Sequence, residues 1–436
     1  MASIRPFRGL RFNPEQFADL GQVVAPLADT LTAEQQAYLY AHPFNALHLT
    51  KPLPEEEDET ERDTLRIARW RAQGVFHQDA LPSYYPYFQE FSLYGYPGRF
   101  VRKGFVALVR IWPRPYTRTI KRHEQILTRG LNGALQQIRR LELNVTPTHG
   151  LYFDPQHTLE PLLDPYLENP WSQVNDHQGV CNKLGLIQQR PVLERITQFL
   201  APRPIYLADG HHRLAASIAL AEAVANKLGG PPPWQLQHHL MFLSNGAGDD
   251  LQIWPTHRVV ELPEGYTGEQ LRAGLSEYFR LAPADQRTPL HQELHKHPRN
   301  MALALPDGVW LLHPRADRDL PGRMPASDPK GLRQLPAYWL HRLVFEHLLG
   351  FPHEQQARNP RLRYLKDQTR ALDEGQRPGC AAFLLNSIGM GDLMAVADHN
   401  ALLPPKSTYF YPKVLSGLVL HSLRDVDHNS ALDLSF

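Results

Sequence analysis

Pro204-Ile205-Tyr206-Leu207-Ala208-Asp209-Gly210-His211-His212-Arg213 is the stretch on which the fold reading turns. Its first five residues form a short apolar run that fits a strand. Asp209-Gly210 reads as a turn. From His211 to Lys227 the apolar residues Leu214, Ile218, Ala221 and Ala225 recur on one helical stripe, until Gly229-Gly230 and Pro231–Pro233 stop the pattern. Strand, turn and helix thus follow directly. The junction also has chemistry. A helix start offers N–H groups without intrahelical acceptors and the positive end of the helix dipole, so it attracts phosphate. Gly210 lets a phosphate or another backbone approach closely. Arg213, in the first turn, offers a bidentate fork, and Asp209 can orient an imidazole or hold a metal. The plainer reading makes Asp209 a helix cap and the histidines surface residues, but a cap does not need His-His-Arg behind it.

Outward from this unit, Phe105–Val109, Leu151–Phe153, Leu240–Leu243 and Ile253-Trp254 read as strands, and Gly130–Leu141 and Pro191–Leu200 as helices. Helical spacing also marks Glu34–Tyr40 and Thr64–Ala72, the latter behind the acidic run Pro54–Arg62. Further on come a helix near Glu269–Phe279 and strands near Met301–Leu305 and Val309–Leu312. Helices at Tyr338–Leu349 and near Leu393–His399 flank a strand at Ala381–Leu385. The charge-rich stretch Arg315–Arg323 reads as a linker. The expected fold class is mixed α/β. Residues 1–260 would form the core with the D-G-H-H-R motif, 261–325 a small α+β section, and 326–436 a C-terminal region whose P-K-S-T loop packs on the core.

Composition narrows the function. The chain has 436 residues, 42% hydrophobic and 21% charged, enough for a sizeable core. Lys plus Arg number 46 against 45 Asp plus Glu, a formal charge of +1, which argues against a nucleic-acid coat protein. Cys181 and Cys380 form no C-x-x-C pair, so no thiolate zinc site is expected and a reducing compartment suits the chain. Met1–Leu20 carries no secretory pattern, and no run of about 18 apolar residues occurs, so the protein is expected to be cytoplasmic with no membrane span. There is no P-loop, no G-x-G-x-x-G, no H-E-x-x-H and no G-x-S-x-G.

Other stretches could carry chemistry. Glu124 beside His123 suits a general base on a hydroxyl, although exposed charged loops look the same. His257-Arg258 follows a predicted strand and is placed for a cleft, or for an ordinary polar turn. Lys406-Ser407-Thr408 and Lys413, bracketed by Pro404, Pro405 and Pro412, make a stiff loop able to hold phosphates and expected to fold back on the 209–213 turn. The alternative is that Tyr409 and Phe410 pin the loop to the core. His291 and His295 have metal-pair spacing, but no third ligand is evident, which favours a solvated helix.

At these residues the chain resembles a bacterial and archaeal family, domain-of-unknown-function family 1015. The resemblance runs from Ile4-Arg5-Pro6-Phe7-Arg8-Gly9 through Val24-Ala25-Pro26, His123-Glu124, Asn144 and Gly150-Leu151-Tyr152 to Asp209–Arg213. It resumes at Pro255–Arg258 and ends at Pro405–Lys413. Departures are Leu27-Ala28 before Asp29, Ile126, and Leu214, where the family usually has Pro-Tyr, Thr and Tyr. The D-G-H-H-R unit is also similar to the nucleotide site of the ParB/sulfiredoxin superfamily, which includes free-serine kinases. That similarity implies a ParB/sulfiredoxin-like nucleotide-binding core and a kinase of a small hydroxyl compound such as free serine. It also implies that ATP or another nucleotide is the donor, with Mg²⁺ across its phosphates. Gly210, His211, His212, Arg213, His257, Lys406, Ser407, Thr408 and Lys413 would bind nucleotide, and Glu124, His123 and Asp209 would serve catalysis. The alternatives are a nucleotide-binding regulator without transfer chemistry and a metal-dependent phosphatase built on Asp209, His211, His212 and His257.

Overall fold

The computed structural model of the chain describes residues 2–53, 60–93, 98–113, 119–248, 250–285 and 287–424. They close into two units. The first comprises residues 1–121, 126–251 and 412–436; the second comprises residues 122–125 and 252–411.

The first unit is built on a nine-stranded sheet. In chain order its strands are β1 (Ile4–Arg5), β2 (Tyr85–Phe91), β3 (Phe100–Arg110), β4 (Ile120–Lys121), β5 (Thr148–Tyr152), β6 (Ser172–Asn175), β7 (Cys181–Leu184), β8 (Ile205–Asp209) and β9 (His238–Asn245). The spatial order is β4-β8-β5-β9-β3-β2-β7-β6, with β1 beside β3. The β4–β8 and β5–β9 pairs are parallel and the others antiparallel. The run Phe105–Val109 is apolar throughout because both faces of β3 are covered. Val106 and Leu108 join one core with Leu240 and Phe242 of β9, whereas Phe105, Ala107 and Val109 join another with Met241 and Leu243. Three helices matter for the site: α1 (Thr128–Leu141), α2 (Arg190–Leu200) and α3 (His211–Leu228). Leu214 and Ile218 of α3 enter the core that holds Leu207 of β8, which fixes the helix axis against the strand it leaves. Further along, Leu220, Ala221 and Val224 pack on Ile138 of α1.

The second unit has a six-stranded antiparallel sheet. Its strands are β11 (His257–Glu261), β12 (Phe279–Pro283), β13 (Met301–Leu305), β14 (Gly308–Pro314), β15 (Leu362–Leu365) and β16 (Cys380–Leu385), ordered β12-β14-β13-β16-β11-β15. A separate two-stranded pair joins β10 (Gln252–Trp254) to β17 (Tyr409–Tyr411). The section 261–325 and the residues after it therefore share one sheet. Two expectations are corrected here. Arg315–Arg323 is no linker: Arg315 donates to the Ser276 carbonyl at 3.2 Å, and Leu320 is buried. The helix expected to reach Phe279 stops at Leu275, because Phe279 starts β12. No described helix is long and apolar enough to cross a membrane.

Candidate functional site

In the first unit Asp209 ends β8, which lies between β4 and β5, and Gly210 turns the chain into α3. Gly210 has φ of +89°, a left-handed conformation that costs most residues about 1 kcal/mol or more. Space forbids a side chain as well: a Cβ there would sit 2.6 Å from Thr148 Cγ2 and 2.9 Å from Arg213 Nη2. With glycine at the N-cap, no side chain caps the first turn of this 18-residue helix. That leaves a helix start of the kind that binds anions.

Two cations converge on Asp209. Lys413 Nζ donates to Oδ1 at 2.5 Å, and Arg213 Nη2 donates to Oδ2 at 2.8 Å. Burial pushes the Asp209 carboxyl up, but Lys413 and then Arg213 overcome it and hold the group well below the usual carboxylate range. Arg213 does more than the sequence suggested. Its Nη1 donates to the Thr146 and Pro147 carbonyls at 3.2 and 2.9 Å, so the guanidinium ties α3 to the segment entering β5. Burial lowers its pKa, and the carboxylates of Asp209 and then Asp29 oppose that shift, which puts Asp29 within electrostatic reach of the turn.

Lys413 is held from behind by a network that no sequence motif marks. Gln89 Nε2 donates to the Lys413 carbonyl at 2.9 Å, and Arg102 Nη2 donates to the Pro412 carbonyl and to Gln89 Oε1. Asn182 Oδ1 accepts from Gln89 at 3.1 Å and from Tyr87 at 2.6 Å. Arg102 is fully buried, and that burial pulls its pKa down to about 10. These residues come from adjacent strands β3, β2 and β7, so only the sheet register brings them together.

The histidines of the motif divide. His211 is buried and acts electrostatically on Asp209. His212 Nε2 accepts the Leu127 N–H at 3.0 Å, and its ring lies where a Cβ on Gly130 would come within 2.7 Å. His212 therefore secures the start of α1.

The remaining expected site residues lie in the second unit. His123 is buried, with Nε2 3.1 Å from Thr408 Oγ1, and its carbonyl accepts the Leu403 N–H. Glu124 is half-buried beside it. His257 Nδ1 accepts the Leu385 N–H at 3.2 Å; burial lowers its pKa to about 4, so the ring is neutral. Ser407 Oγ donates to the Pro404 carbonyl at 2.7 Å and faces Arg258 Nη2 at 3.3 Å. Arg258 also donates to the Pro405 and Thr256 carbonyls and so ties the loop to the sheet. Lys406 is exposed, with φ of +56°. Tyr409 and Phe410 are buried in this unit. Among the described residues no group of three or more His, Cys, Asp or Glu is arranged to hold a metal ion.

This is a mixed α/β protein with a strand–glycine–helix junction whose helix start has no side-chain cap. The chain belongs to the family described as "Protein of unknown function (DUF1015)", which matches residues 4–338. A comparison with curated proteins found no match. Among solved structures the chain is similar to a conserved hypothetical protein from Pyrococcus furiosus, at 12% identity and a TM-score of 0.32, covering 68% of this chain and 91% of that one. It is similar to a mutant free serine kinase in complex with ADP, at 11% identity and a TM-score of 0.34, covering 73% and 91%. A third likeness is to C-terminally truncated SbnI from Staphylococcus aureus, at 10% identity and a TM-score of 0.34, covering 71% and 84%.

Proposed function

We propose that the protein is a nucleotide-dependent phosphotransferase acting on a small hydroxyl compound, with a ParB/sulfiredoxin-like phosphate site at Asp209–Arg213. The supporting observation is the convergence of Lys413 and Arg213 on Asp209 at an uncapped helix start. The helix N–H groups of the first turn would take the phosphate oxygens, and Lys413 would swing its ammonium from Asp209 to the phosphoryl group. Asp209, thereby released, is the carboxylate at the turn for a nucleotide-borne Mg²⁺, an ion commonly held by one or two carboxylates plus phosphates. The ion would neutralise phosphate charge. Arg213 would stiffen the junction through its carbonyl contacts. Glu124 is the proposed base on the acceptor hydroxyl, with His123 beside it; Asp29 is the second candidate because it acts electrostatically on Arg213. His257, Lys406, Ser407 and Thr408 remain proposed nucleotide contacts, although the ring and the two hydroxyls have partners inside the second unit.

The test is Mg²⁺-ATP turnover with and without hydroxyl acceptors, serine first. A transferase forms ADP only when an acceptor is present. Steady ATP hydrolysis without acceptor, or nucleotide binding without turnover across the acceptor panel, would contradict the reading.

A further inference from the structure

Arg102 stands in the interior of β3 with 0% exposure. Burying a guanidinium is costly, and an apolar side chain of similar volume is often as stable or more so. An arginine here is therefore informative through what its nitrogens reach. Nη2 donates to the Pro412 carbonyl and to Gln89 Oε1, while Gln89 Nε2 donates to the Lys413 carbonyl at 2.9 Å and to Asn182 Oδ1 at 3.1 Å. Two successive carbonyls are thus taken by side chains of two paired strands, and Gln89 and Arg102 stand opposite each other in the β2–β3 register. The clamp is itself held. The Arg102 guanidinium lies over the Phe242 ring at 5.6 Å, and that ring stacks on His149 at 5.0 Å.

What the clamp holds is the root of a long side chain. A lysine ammonium ends a flexible four-carbon stem, and its rotamer freedom opposes any single placement. Proline fixes its own φ, so holding the Pro412 and Lys413 carbonyls leaves the Lys413 Cα little room to move. From that Cα the ammonium reaches Asp209 Oδ1 at 2.5 Å, beside the start of α3. An anion on that helix start would be met from the same Cα, so one clamp would serve both positions of the ammonium.

We propose that Arg102 is a positioning residue: with Gln89, it sets the backbone from which Lys413 reaches Asp209 and an incoming phosphoryl group. The reach to Asp209 stands by itself, whereas the reach to phosphate rests on the phosphotransferase reading. The test is a double-mutant cycle of Lys413→Met and Asp209→Asn by urea denaturation, in wild-type, Arg102→Met and Gln89→Met backgrounds of the full chain. In the wild type the pair should be coupled at least roughly fivefold in the folding equilibrium constant. Arg102→Met should lower this below roughly twofold, and Gln89→Met to roughly two- to threefold. Gln89→Met changes no charge, which matters because Arg102 also acts electrostatically on Asp209. A residue that only fills the core would change stability and leave the coupling as it was. The second readout is Mg²⁺-ATP affinity: Lys413→Met should weaken it in the wild type and add less than roughly twofold in Arg102→Met. Unchanged coupling in Arg102→Met would overturn the proposal. So would a loss there with unchanged coupling in Gln89→Met, which would assign the effect to charge. Gln89→Met decides alone if Arg102→Met does not fold. Coupling lost in both variants of a protein that binds no nucleotide would keep the clamp on Lys413 and sink the phosphotransferase reading instead. An equal ATP penalty for Lys413→Met in both backgrounds would overturn the reach to phosphate.

Discussion

Replacing Lys413 with Met is the sharpest single perturbation of the junction. Methionine keeps the length of the side chain and removes the ammonium that donates to Asp209 Oδ1 at 2.5 Å. The two side chains retain only 14% and 24% exposure, so solvent screens the pair weakly. A charge-assisted hydrogen bond of this kind contributes about 1.5–3 kcal/mol. Arg213 still neutralises Asp209 in the variant, which places the expected loss near the lower end, about 1.5 kcal/mol. In a unit of about 270 residues that lowers the melting temperature by about 2–3 °C. The assay is a double-mutant cycle by urea denaturation with Lys413→Met, Asp209→Asn and the double variant. The coupling energy should exceed about 1 kcal/mol. It should also weaken in acid: the Asp209 pKa is lower folded than unfolded, so its stabilisation is full above the unfolded value near 3.8, declines as pH falls below that value, and is lost only as pH falls through the much lower folded value. A coupling below about 0.3 kcal/mol, within the additivity error of independent sites, would refute the contact and with it the convergence on Asp209.

Gly210→Ala must place a Cβ 2.6 Å from Thr148 in a left-handed backbone, so it should cost at least about 2 kcal/mol, read by thermal melting; a neutral substitution would contradict the turn geometry. Arg213→Ala should lower both the melting temperature and nucleotide affinity, because the guanidinium holds two carbonyls as well as Asp209; a drop in stability with ATP affinity unchanged would assign it to structure alone. Glu124→Gln should remove acceptor-dependent turnover and spare nucleotide affinity, and a retained rate would move the base to Asp29, tested by Asp29→Asn. Burial lowers His239 to about 3 and His257 and His421 to about 4, so these rings are neutral in the folded state. Unfolding lets them take protons below their ordinary value near 6.5. Stability should therefore decline from about pH 6.5 toward pH 4, and a flat melting profile across that window would contradict their burial.

Local order made part of this legible. The strand, glycine turn and helix at 204–228 need only neighbouring residues to announce themselves, and so does the apolar run of β3. Lys413 was also visible, as a cation in a proline-stiffened loop. Its partner within the chain was not: Lys413 meets Asp209, which lies 204 positions away in the sequence. The Gln89–Arg102–Asn182 network was invisible because its residues look like ordinary strand positions until the β3-β2-β7 register aligns them. For the same reason the motif could not show that His212 is engaged by Leu127, or His257 by Leu385. A polar residue in a motif and a polar residue satisfying a distant N–H have the same letter.

The central claim is that phosphate sits on the first turn of α3. Amide hydrogen exchange measures this at the atoms concerned. With saturating Mg²⁺-ATP, the amides of His211, His212 and Arg213 should slow roughly tenfold or more relative to the free protein, since each would donate to a phosphate oxygen. Lys413→Met should weaken that protection. Nucleotide that binds but leaves these three amides exchanging at their free rate, with protection elsewhere, would contradict the account.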